Sequence, residues 1–440
     1  MTKKVNIQTF GCQMNEYDSE KMAEILKQQN YVYTDQTEDA DLILLNTCSV
    51  RDKAEQKVYS MLGRLKMLKE KHPGLIIGVG GCVAQQEGET ILKRAKSVDM
   101  VFGTDNLFDL PEMLEQVRQG KRVLRTERKE YKQKVRNFIP ETLFHSPPGP
   151  QFKSHISITK GCNNFCTFCI VPVTRGLEVS REPENIIEEA RKLVSEGIVE
   201  ICLLGQNVNS YKANGVDFVE LLRQLDALPG LSRLRFISPH PKDFQEDLAR
   251  AFVELPSLCE HMHLPIQSGS NKILKSMRRH YTLEEFMEKV HLLRSHLPEA
   301  AISTDLIVGF PGETDEDFQC SVKAMELARF DQVYSFKYSP RPGTPAATFD
   351  EQVPEEVKNE RLRIVLELHE KIIGEKYQAM IGTTQEVLLE GFHPKFSQCP
   401  TGKTRGNHSI MLEDSTGKPG DILNVIITEA KLYSLVGKPF

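Results

Sequence analysis

The sequence predicts an α/β protein with three parts: an N-terminal parallel-sheet α/β domain, a central partial (β/α)6 barrel, and a small, OB-like all-β barrel at the C-terminal end. Three observations lead to this prediction. Short apolar runs alternate with helical patterns over residues 3–120, and the same alternation recurs in six units over residues 151–345. From about residue 376 the pattern changes to short strands punctuated by glycine. The length of 440 residues suits about three domains of ordinary size.

The first part, residues 1–120, has a βαβ pattern. Apolar runs at Val5–Phe10, Asp41–Leu45 and Leu75–Val79 have the length of buried strands, and apolar residues recur at helical spacing between them. The sequence His-Pro-Gly at residues 72–74 ends the second helix. Strands that alternate with helices in this way form a parallel sheet.

Residues 121–150 are predicted to form a linker. They begin with a basic run, Lys121–Asn137, which holds eight Lys or Arg against two Glu, and they continue with Pro140, Pro147, Pro148 and Pro150. A second basic segment, residues 272–279, holds four Lys or Arg and no acid. Such segments can neutralise phosphates, but a solvated surface is the other open interpretation, because the whole chain carries a net charge of −5.

The central part, residues 151–375, contains six candidate strands separated by helical patterns. Pro183 suits a first helical turn, Gly197 suits the position just after a helix, and Thr282 with Glu285 forms a capping box. Six β/α units form an open relative of the eight-fold barrel, so reactive residues are expected at the C-terminal ends of the strands. The candidate strands are His155–Thr159, Val199–Leu204, Arg233–Ser238, His261–Ile266, Ile302–Val308 and Val333–Tyr338.

The last part, residues 376–440, follows a largely helical stretch at residues 346–374. Its short strand patterns are separated by six glycines, which is typical of a small closed barrel. The candidate strands are Glu386–Leu389, Ser409–Leu412, Ile422–Thr428 and Leu432–Leu435.

Composition excludes several classes of protein. No apolar run approaches the roughly 18 residues that span a bilayer, and the first residues, Met1–Ile7, lack the apolar core of a secretory signal. We therefore expect a cytoplasmic protein without a membrane partner. The ten cysteines are then expected to be reduced thiols that bind metal or pack in cores.

The most informative segment is Cys162–Cys169, CNNFCTFC, which places three cysteines in a CxxxCxxC spacing just after a candidate strand. Three thiolates can hold three irons of a four-iron cluster and leave the fourth iron open to a ligand from outside the protein. Gly161 lets the backbone turn sharply so that the thiolates converge. A zinc site is the alternative, but no nearby Cys or His completes a standard zinc spacing. The segment therefore predicts an iron-sulfur cluster and radical chemistry.

A second triad is scattered over the first part of the chain. Cys12, Cys48 and Cys82 each follow the C-terminal end of a candidate parallel strand. Such ends gather at one edge of a sheet, where ligands bind in open α/β folds. The sequence thus predicts a second cluster with an open iron. Three unrelated core cysteines remain the alternative, because cysteine is readily buried.

The other four cysteines stand singly in the sequence. Core packing is the prediction for each of them, and Cys399 is the one most open to solvent exposure. They are Cys202, Cys259, Cys320 and Cys399.

Residues 161–181, GCNNFCTFCIVPVTRGLEVSR, resemble the radical S-adenosylmethionine segment of the methylthiotransferase family. The likeness covers essentially the whole chain: residues 9–16 (TFGCQMNE), 45–51 (LNTCSVR) and 78–84 (GVGGCVA) are similar to the family's N-terminal domain. Residues 203–211, LLGQNVNSY, are similar to the branch that methylthiolates isopentenyl-modified adenosine beside the tRNA anticodon.

The C-terminal barrel resembles the family's TRAM domain, which helps relatives to bind RNA. One departure lies in residues 401–408, TGKTRGNH, because the branch more usually has arginines where Lys403 and His408 stand. Bidentate phosphate contact, which needs the planar guanidinium of arginine, is therefore in doubt at these two positions.

The resemblance implies two 4Fe-4S clusters and two molecules of S-adenosylmethionine per turnover. The Cys162/Cys166/Cys169 cluster would bind and cleave one molecule to give a 5′-deoxyadenosyl radical, which removes the hydrogen from carbon 2 of the adenine. The Cys12/Cys48/Cys82 cluster would hold the sulfur that the second molecule methylates. The product would be 2-methylthio-N6-isopentenyladenosine at position 37, and no catalytic side chain is expected, because the cofactor carries the radical step.

The same resemblance suggests contacts around the cofactor. Phe168 is expected to pack against the adenine, with plain hydrophobic cover as the alternative. Residues 205–207 are expected to line the methionine end. Polar residues in or after the fourth strand suit the ribose, with loop hydrogen bonding as the alternative, and residues 309–314 either border the cofactor or form only a turn. The expected cofactor contacts are Phe168, Gly205, Gln206, Asn207, His263, Gln267, Ser268 and Arg341, and the expected tRNA contacts are Arg175, Lys403 and Arg405.

The expected partners are a tRNA with isopentenylated adenosine at position 37, an electron donor of the flavodoxin or ferredoxin type, and a sulfur donor, and the protein is expected to be a monomer. A rival hypothesis is an iron-sulfur electron carrier or RNA-binding adaptor without turnover. Two open clusters argue against a carrier, which would usually close its clusters with four cysteines.

Overall fold

The computed structural model describes residues 2–49, 54–130, 138–144, 151–395, 399–413 and 416–440. Residues 131–137 of the predicted basic run lie outside these ranges, as do Pro147, Pro148 and Pro150. Val50 and Arg51 of the LNTCSVR motif also lie outside them.

The first part of the chain forms one fully parallel sheet, which also takes in residues 123–125 of the predicted linker as its edge strand. Its strands are β1 (Lys3–Thr9), β2 (Tyr31–Tyr33), β3 (Leu42–Thr47), β4 (Ile76–Gly81), β5 (Met100–Phe102) and β6 (Val123–Arg125). They lie in the order β2-β1-β3-β4-β5-β6, and every neighbouring pair is parallel. The predicted parallel sheet is confirmed. The strands β2, β5 and β6 were not predicted, because three residues are too few to show a period.

Helices cover both faces of this sheet. All six residues of β3 are buried, as expected for a central strand of a parallel sheet. Its side chains divide alternately between two cores: Leu42 and Leu44 belong to one, and Ile43 and Leu45 to the other. The helices are α1 (Gln13–Gln28), α2 (Ala54–Lys71), α3 (Cys82–Arg94) and α4 (Leu110–Arg118).

The central part contains two three-stranded parallel sheets. The first has the order β13-β10-β7 and the second β14-β15-β16, and a parallel bridge between Leu234 and Leu258 leads from one to the other. The six strands therefore follow chain order, as the predicted partial barrel requires. They are β7 (Lys153–Ser157), β10 (Glu200–Leu204), β13 (Arg233–Phe236), β14 (His261–His263), β15 (Ala301–Val308) and β16 (Gln332–Lys337), with the small pairs β8 (Thr159–Lys160) with β9 (Val179–Ser180) and β11 (Lys212–Ala213) with β12 (Val216–Asp217) beside them.

Three helix-boundary signals predicted for the central part are confirmed. Pro183 is the first residue of its helix, and Gly197 follows that helix with φ of 98°. Thr282 with Glu285 forms both bonds of a capping box. The helices are α5 (Val171–Thr174), α6 (Pro183–Ser195), α7 (Phe218–Asp226), α8 (Glu246–Glu254), α9 (Asn271–Ser276), α10 (Leu283–His296) and α11 (Asp315–Ala328).

A long helix, α12 (Glu355–Ala379), connects the central part to the last one. Its residues Val365 and Ile372 pack in the central core, whereas Ile373 and Tyr377 pack in the core of the C-terminal barrel. The helix therefore belongs to both units. None of the described helices combines the length and the apolar character needed to cross a bilayer.

The C-terminal part is a closed five-stranded barrel in the order β17-β18-β19-β21-β20. Its strands are β17 (Thr384–Phe392), β18 (Pro400–Thr404), β19 (Ser409–Leu412), β20 (Ile422–Ala430) and β21 (Leu435–Pro439). The predicted barrel is confirmed. The strand β18 was not predicted, because its sequence PTGKT has no apolar period.

Candidate active site

The CxxxCxxC segment forms an irregular loop between β8 and α5. Gly161 has φ of 79°, and a Cβ atom there would lie 2.2 Å from the carbonyl oxygen of Leu177, so only glycine fits. Cys162 and Cys166 are buried and Cys169 is half-buried. Burial and the neighbouring thiols Cys166 and Cys162 raise the pKa of Cys169 to about 12. Three thiolates are therefore unfavourable here unless a cation compensates them, and bound iron would supply that charge.

Among the described residues, no three His, Cys, Asp or Glu side chains converge closely enough to hold a single metal ion. In a four-iron cluster each thiolate binds a different iron, so the three sulfurs of the loop do not have to meet at one centre.

The scattered triad is gathered at one edge of the N-terminal sheet. Cys12 directly precedes α1, Cys48 follows β3, and Cys82 is the first residue of α3 just after β4. The three strands concerned are neighbours, since β3 lies between β1 and β4. The pKa of Cys12 is lowered to about 6. A hydrogen bond with Cys48 and the positive charge of Arg175 lower it, and they outweigh burial, which would raise it.

Two asparagines hold this edge together, and the sequence analysis did not single them out. Asn15 donates through Nδ2 to Asn46 Oδ1 at 2.9 Å and to Thr47 O at 3.0 Å. Asn46 donates in return to Asn15 O at 2.8 Å. The Sγ of Cys12 donates to Asn15 Oδ1 at 3.5 Å. Asn15 and Asn46 are fully buried, and each stands within three residues of a cysteine in the motifs TFGCQMNE and LNTCSVR, which is the signal in the sequence that could have identified them.

Arg175 links the segment that follows the CxxxCxxC loop to the N-terminal domain. It lies six residues after Cys169 in the sequence, yet its guanidinium is buried and pairs with Asp18 of α1, with Nη2 and Oδ2 2.9 Å apart. Burial would lower the pKa of Arg175, but Asp18 and the thiols of Cys82 and Cys12 raise it above its usual range. Contact of Arg175 with tRNA stays a prediction. To make that contact, the side chain would have to leave its buried ion pair with Asp18.

Four buried polar atoms in or near the CxxxCxxC loop have no hydrogen-bond partner among the described residues. Gln206 accepts a hydrogen bond from Gly161 N through Oε1, while its Nε2 has no partner. Asn207 donates to Asp243 Oδ2 at 2.7 Å, while its Oδ1 has none. Thr159 Oγ1 and Asn164 Oδ1 are also without partners. Buried polar groups are normally satisfied, so these four atoms mark a place where a polar ligand fits.

The backbone comes close to the same place at Gly205. A Cβ atom there would lie 2.2 Å from Thr159 Oγ1, one of the atoms without a partner. Glycine at this position leaves Thr159 Oγ1 free to meet a ligand. Gly205, Gln206 and Asn207 thus lie beside the loop, and their contact with the methionine end of the cofactor stays a prediction.

Phe168 packs into a small apolar cluster. Its ring meets that of Phe310 edge-on, with centroids 6.5 Å apart. Phe310 belongs to the segment 309–314, which closes a turn through a bond from Gly309 N to Glu313 Oε1 at 2.9 Å. This segment therefore forms a turn that also touches the cysteine loop. Hydrophobic cover explains the position of Phe168, and contact with the adenine stays a prediction.

The predicted ribose contacts lie around the second sheet. His263 Nδ1 is 2.9 Å from Ser303 Oγ, and its Nε2 is 3.4 Å from Asp305 Oδ2. Gln267 has φ of 67°, a left-handed conformation that is uncommon outside glycine. Ser268 accepts a bond from Ser270 N at 3.2 Å. These are the loop hydrogen bonds of the alternative interpretation, so the ribose contact stays a prediction.

Arg341 lies in the loop after β16. Arg341 is half-buried. Burial raises the pKa of Tyr338 and outweighs the positive charge of Arg341, which lowers that pKa. The Tyr338 hydroxyl has no hydrogen-bond partner among the described residues. The carbonyl of Arg341 accepts bonds from Thr344. Contact of Arg341 with the cofactor or with RNA stays a prediction.

Lys403 and Arg405 are committed to contacts within the molecule. Arg405 donates to both oxygens of Glu260, at 2.9 and 2.7 Å, and to Leu258 O at 2.9 Å. Lys403 donates to Ser409 Oγ at 2.8 Å. The carbonyls of both residues accept bonds, at 3.0 and 2.9 Å, from arginines of β13.

These contacts lie at the N-terminal ends of the central strands. Arg233 is the first residue of β13, and Glu260 directly precedes β14. The cysteine loop lies at the opposite, C-terminal end. The turn that carries Arg405 docks the C-terminal barrel on the central domain. Contact of Lys403 and Arg405 with tRNA stays a prediction. To reach tRNA, both side chains would have to give up hydrogen bonds within the molecule.

Among the remaining cysteines, Cys259 is buried and Cys202 and Cys399 are half-buried. The prediction of core packing is wrong for Cys320, which is exposed on α11. Its neighbours Phe318 and Ser321 are buried, so the helix turns this side chain outward.

Three families match successive parts of the chain. Residues 4–103 match an uncharacterized protein family, UPF0004, residues 156–324 match the radical SAM superfamily, and residues 378–440 match the TRAM domain.

Curated relatives match the chain along its length. A tRNA-2-methylthio-N(6)-dimethylallyladenosine synthase of Syntrophus aciditrophicus is 44% identical over 99% of this chain and 94% of its own length. Those of Pelotomaculum thermopropionicum and of an Acidovorax species are 44% and 45% identical and cover 99% and 100% of this chain, with 97% and 98% of their own lengths.

Among solved structures, the radical S-adenosylmethionine methyltransferase TsrM from Kitasatospora setae, with cobalamin and a [4Fe-4S] cluster bound, superposes with a TM-score of 0.60. The superposed region covers 79% of this chain and 77% of the TsrM chain, at 14% sequence identity. At this identity the likeness shows a common fold.

Proposed function

Because the chain belongs to the family of tRNA-2-methylthio-N(6)-dimethylallyladenosine synthases, we propose that its two cysteine triads hold the two [4Fe-4S] clusters with which it methylthiolates tRNA. The enzyme adds a methylthio group to carbon 2 of N6-isopentenyladenosine in tRNA, with a radical SAM domain, iron-sulfur clusters and S-adenosylmethionine. The observation that carries the assignment is the position of Cys12, Cys48 and Cys82 at the ends of three neighbouring strands, close to the buried Arg175, which lies six residues after Cys169.

When bound, the clusters and S-adenosylmethionine supply the radical that removes the hydrogen from carbon 2, and the sulfur and methyl group that replace it. Such a C–H bond is too strong and too weakly acidic for side-chain acid-base chemistry, which is why the chain provides ligands rather than a general base.

The chain's own residues hold and shield these groups. Gln206 and Asn207 are proposed to bind the polar end of S-adenosylmethionine, because each has one buried atom without a partner beside the cysteine loop. Gly205 leaves room for the ligand next to Thr159. Phe168 covers the loop with an apolar ring, which keeps water from the site.

Other contacts complete the proposal. His263, Gln267, Ser268 and Arg341 are proposed to face the ribose or the methionine part from the second sheet. Arg175, Lys403 and Arg405 are proposed as contacts of tRNA. An electron donor of the flavodoxin or ferredoxin type and a sulfur donor are included, because side chains supply neither electrons nor inorganic sulfur. We further propose a cytoplasmic monomer.

The decisive experiment compares two triple variants of the full chain after anaerobic reconstitution with iron and sulfide. We expect the Cys12/Cys48/Cys82→Ala variant to lose about half of the bound iron, because one of two four-iron clusters is missing. It should still form 5′-deoxyadenosine but transfer no methylthio group to tRNA. The Cys162/Cys166/Cys169→Ala variant should lose both reactions.

The control is Cys320→Ala, which removes an exposed thiol and should change neither iron content nor products. Methylthiolation that survives in the first variant would show that the N-terminal triad is not the sulfur site. A protein with both clusters loaded and no 5′-deoxyadenosine would favour the electron-carrier hypothesis.

A further inference from the structure

The short helix α9 ends in a turn that directs the chain back towards the cysteine loop. Arg278 has φ of 56°, and the backbone amides of Arg278 and Arg279 bond to Lys275 O and Leu274 O, both at 3.0 Å. This is a Schellman motif, in which a left-handed residue reverses the chain after a helix. It leaves Arg278 exposed and Arg279 buried, so the basic segment 272–279 is split by the fold.

The end of α9 is bound directly to the cysteine loop. Thr167, which follows Cys166, donates through its backbone N–H to Met277 O at 3.1 Å and through Oγ1 to Ser276 O at 2.9 Å. The side chain of His280 also lies 3.4 Å from Asn164 O. The loop and the turn therefore form one unit of structure.

Within this unit the guanidinium of Arg279 reaches a cysteine sulfur. Its Nη1 donates to Cys166 Sγ at 3.3 Å, its Nη2 to Pro265 O at 3.2 Å, and its Nε to the hydroxyl of Tyr281 at 3.1 Å. The Tyr281 hydroxyl lies 2.9 Å from Pro265 O, to which it donates. The arginine is thus fixed on three sides, and only 4% of its surface is exposed.

This arginine differs from the other buried arginines of the molecule. Arg175, Arg181 and Arg361 each pair with a buried carboxylate, whereas the described residues offer Arg279 no carboxylate within ion-pair distance. A buried cation without a counter-charge is strongly unfavourable. The neighbours that could provide negative charge are the thiolates of the loop and what they bind.

We infer that Arg279 is a positioning residue that sets the reduction potential of the cluster at Cys162, Cys166 and Cys169. This inference rests on the proposed function, because it takes Cys166 as a cluster ligand. Hydrogen bonds to the sulfurs and the local charge are what a protein uses to tune such a cluster. Arginine keeps its charge at every working pH, and a buried charge is little screened by salt. Reduction adds negative charge to the cluster, so the guanidinium favours the reduced form.

The test is a redox titration of full-length protein that carries Cys12/Cys48/Cys82→Ala, so that a single cluster is observed. The reduced cluster is followed by electron paramagnetic resonance in the Arg279→Gln, Arg279→Lys and Arg278→Gln variants. Arg279→Gln should make reduction at least about tenfold less favourable, which for a one-electron couple is about 59 mV towards lower potential. Arg279→Lys should recover part of the shift, and Arg278→Gln, which removes the exposed neighbouring charge, should leave the potential unchanged.

An unchanged potential in Arg279→Gln with full iron content would overturn the inference, as would an equal shift in Arg278→Gln. If Arg279→Gln binds no iron, then Arg279→Lys, which keeps the charge but loses the planar set of donors, decides instead. A lower potential in that variant supports the inference, and an unchanged one overturns it. Failure of the parent protein to bind iron at all would count against the proposed function and is distinct from these results.

Discussion

At the scale of single residues, the buried pair of Arg175 and Asp18 links the segment after the CxxxCxxC loop to α1, the helix that begins next to Cys12. The two residues lie 157 positions apart in sequence, and both side chains are buried, with 6% and 9% exposed. Removing one partner of such a pair leaves the other buried and charged, which typically costs about 3–5 kcal/mol. Here the remaining charge would be the carboxylate of Asp18, close to the thiols of Cys12 and Cys82.

We therefore expect Arg175→Met to lower the free energy of unfolding of the apo-protein by about 3–5 kcal/mol, as measured by urea denaturation. It should also weaken iron binding by the N-terminal triad, because groups next to the ligands typically change metal affinity by about 10–100-fold. Methylthio transfer should then fall more than 5′-deoxyadenosine formation.

Arg191→Met is the matched control, because Arg191 is exposed and pairs only with the exposed Glu188. The double variant Arg175→Met with Asp18→Asn should recover part of the lost stability. If it is as unstable as Arg175→Met alone, then the effect does not come from the unpaired carboxylate.

The cysteines could be predicted from sequence, whereas their charged neighbours could not. Cys162 lies in a local spacing, and Cys12 lies at a strand end, so each follows from a pattern of nearby residues. Asp18, the partner of Arg175, is far from it in sequence. Cys166, the partner of Arg279, is likewise separated from it by 113 positions. A charged side chain shows no period that reveals whether it is buried, and this is why Arg279 appeared to belong to a solvated basic segment.

At the scale of secondary-structure elements, the turn between β18 and β19 deserves a test, because it combines a predicted RNA contact with an observed docking contact. Arg405 bonds to Glu260 and to backbone carbonyls of the central domain. Both side chains are partly exposed, at 19% and 32%, so the ion pair is partly screened.

We expect Arg405→Ala to loosen the C-terminal barrel at a cost of about 1.5–3 kcal/mol, the usual value for hydrogen bonds to charged groups. Hydrogen exchange should then increase at residues 256–260, and Lys431→Ala, at an exposed position of the same barrel, should leave it unchanged. The same exchange in both variants would contradict the docking role.

The salt dependence of tRNA binding separates the two roles of Arg405. A phosphate contact would lower the slope of affinity against salt by about one in Arg405→Ala. A residue that only docks the barrel would leave that slope as it is.

At the scale of the whole molecule, a buried charge network joins the N-terminal and central domains. Glu189 of α6 accepts a bond from Lys21 Nζ at 2.6 Å and bonds from the Tyr17 hydroxyl at 3.3 Å, and it pairs with Arg181. Lys21 also donates to Leu143 O of the predicted linker at 2.7 Å. Burial raises the pKa of Glu189, but Arg181 and Lys21 outweigh it and keep this pKa below its usual range.

We expect Glu189→Gln to destabilise the protein by about 3–5 kcal/mol, because two buried cations lose their counter-charge. Limited proteolysis should then cut between the two domains. Methylthio transfer should be lost while 5′-deoxyadenosine is still formed, because the two triads need fixed positions only for the transfer.

Glu188→Gln is the matched control for this change, since Glu188 is the adjacent residue and is exposed. Equal proteolysis of the two variants would show that the network does not hold the domains together. The parallel sheet, the partial barrel and the small all-β barrel could each be predicted from the sequence, because their longer strands and helices show local periods. The docking of the domains could not, because it depends on Glu189, Lys21 and Arg181, which share no motif.

The C-terminal barrel covers the N-terminal ends of the strands of the central barrel, and this contact affects how the chain folds during synthesis. Arg233 and Arg235 receive partners from Glu386 and from the carbonyls of residues 403–405. Until the ribosome has made these residues, both guanidiniums lack those partners, although the strand that carries them is already complete. The enzyme's catalytic core is therefore finished by the part of the chain that is translated last. Nascent chains that stop before residue 386 should need chaperones, because their barrel is open at the base.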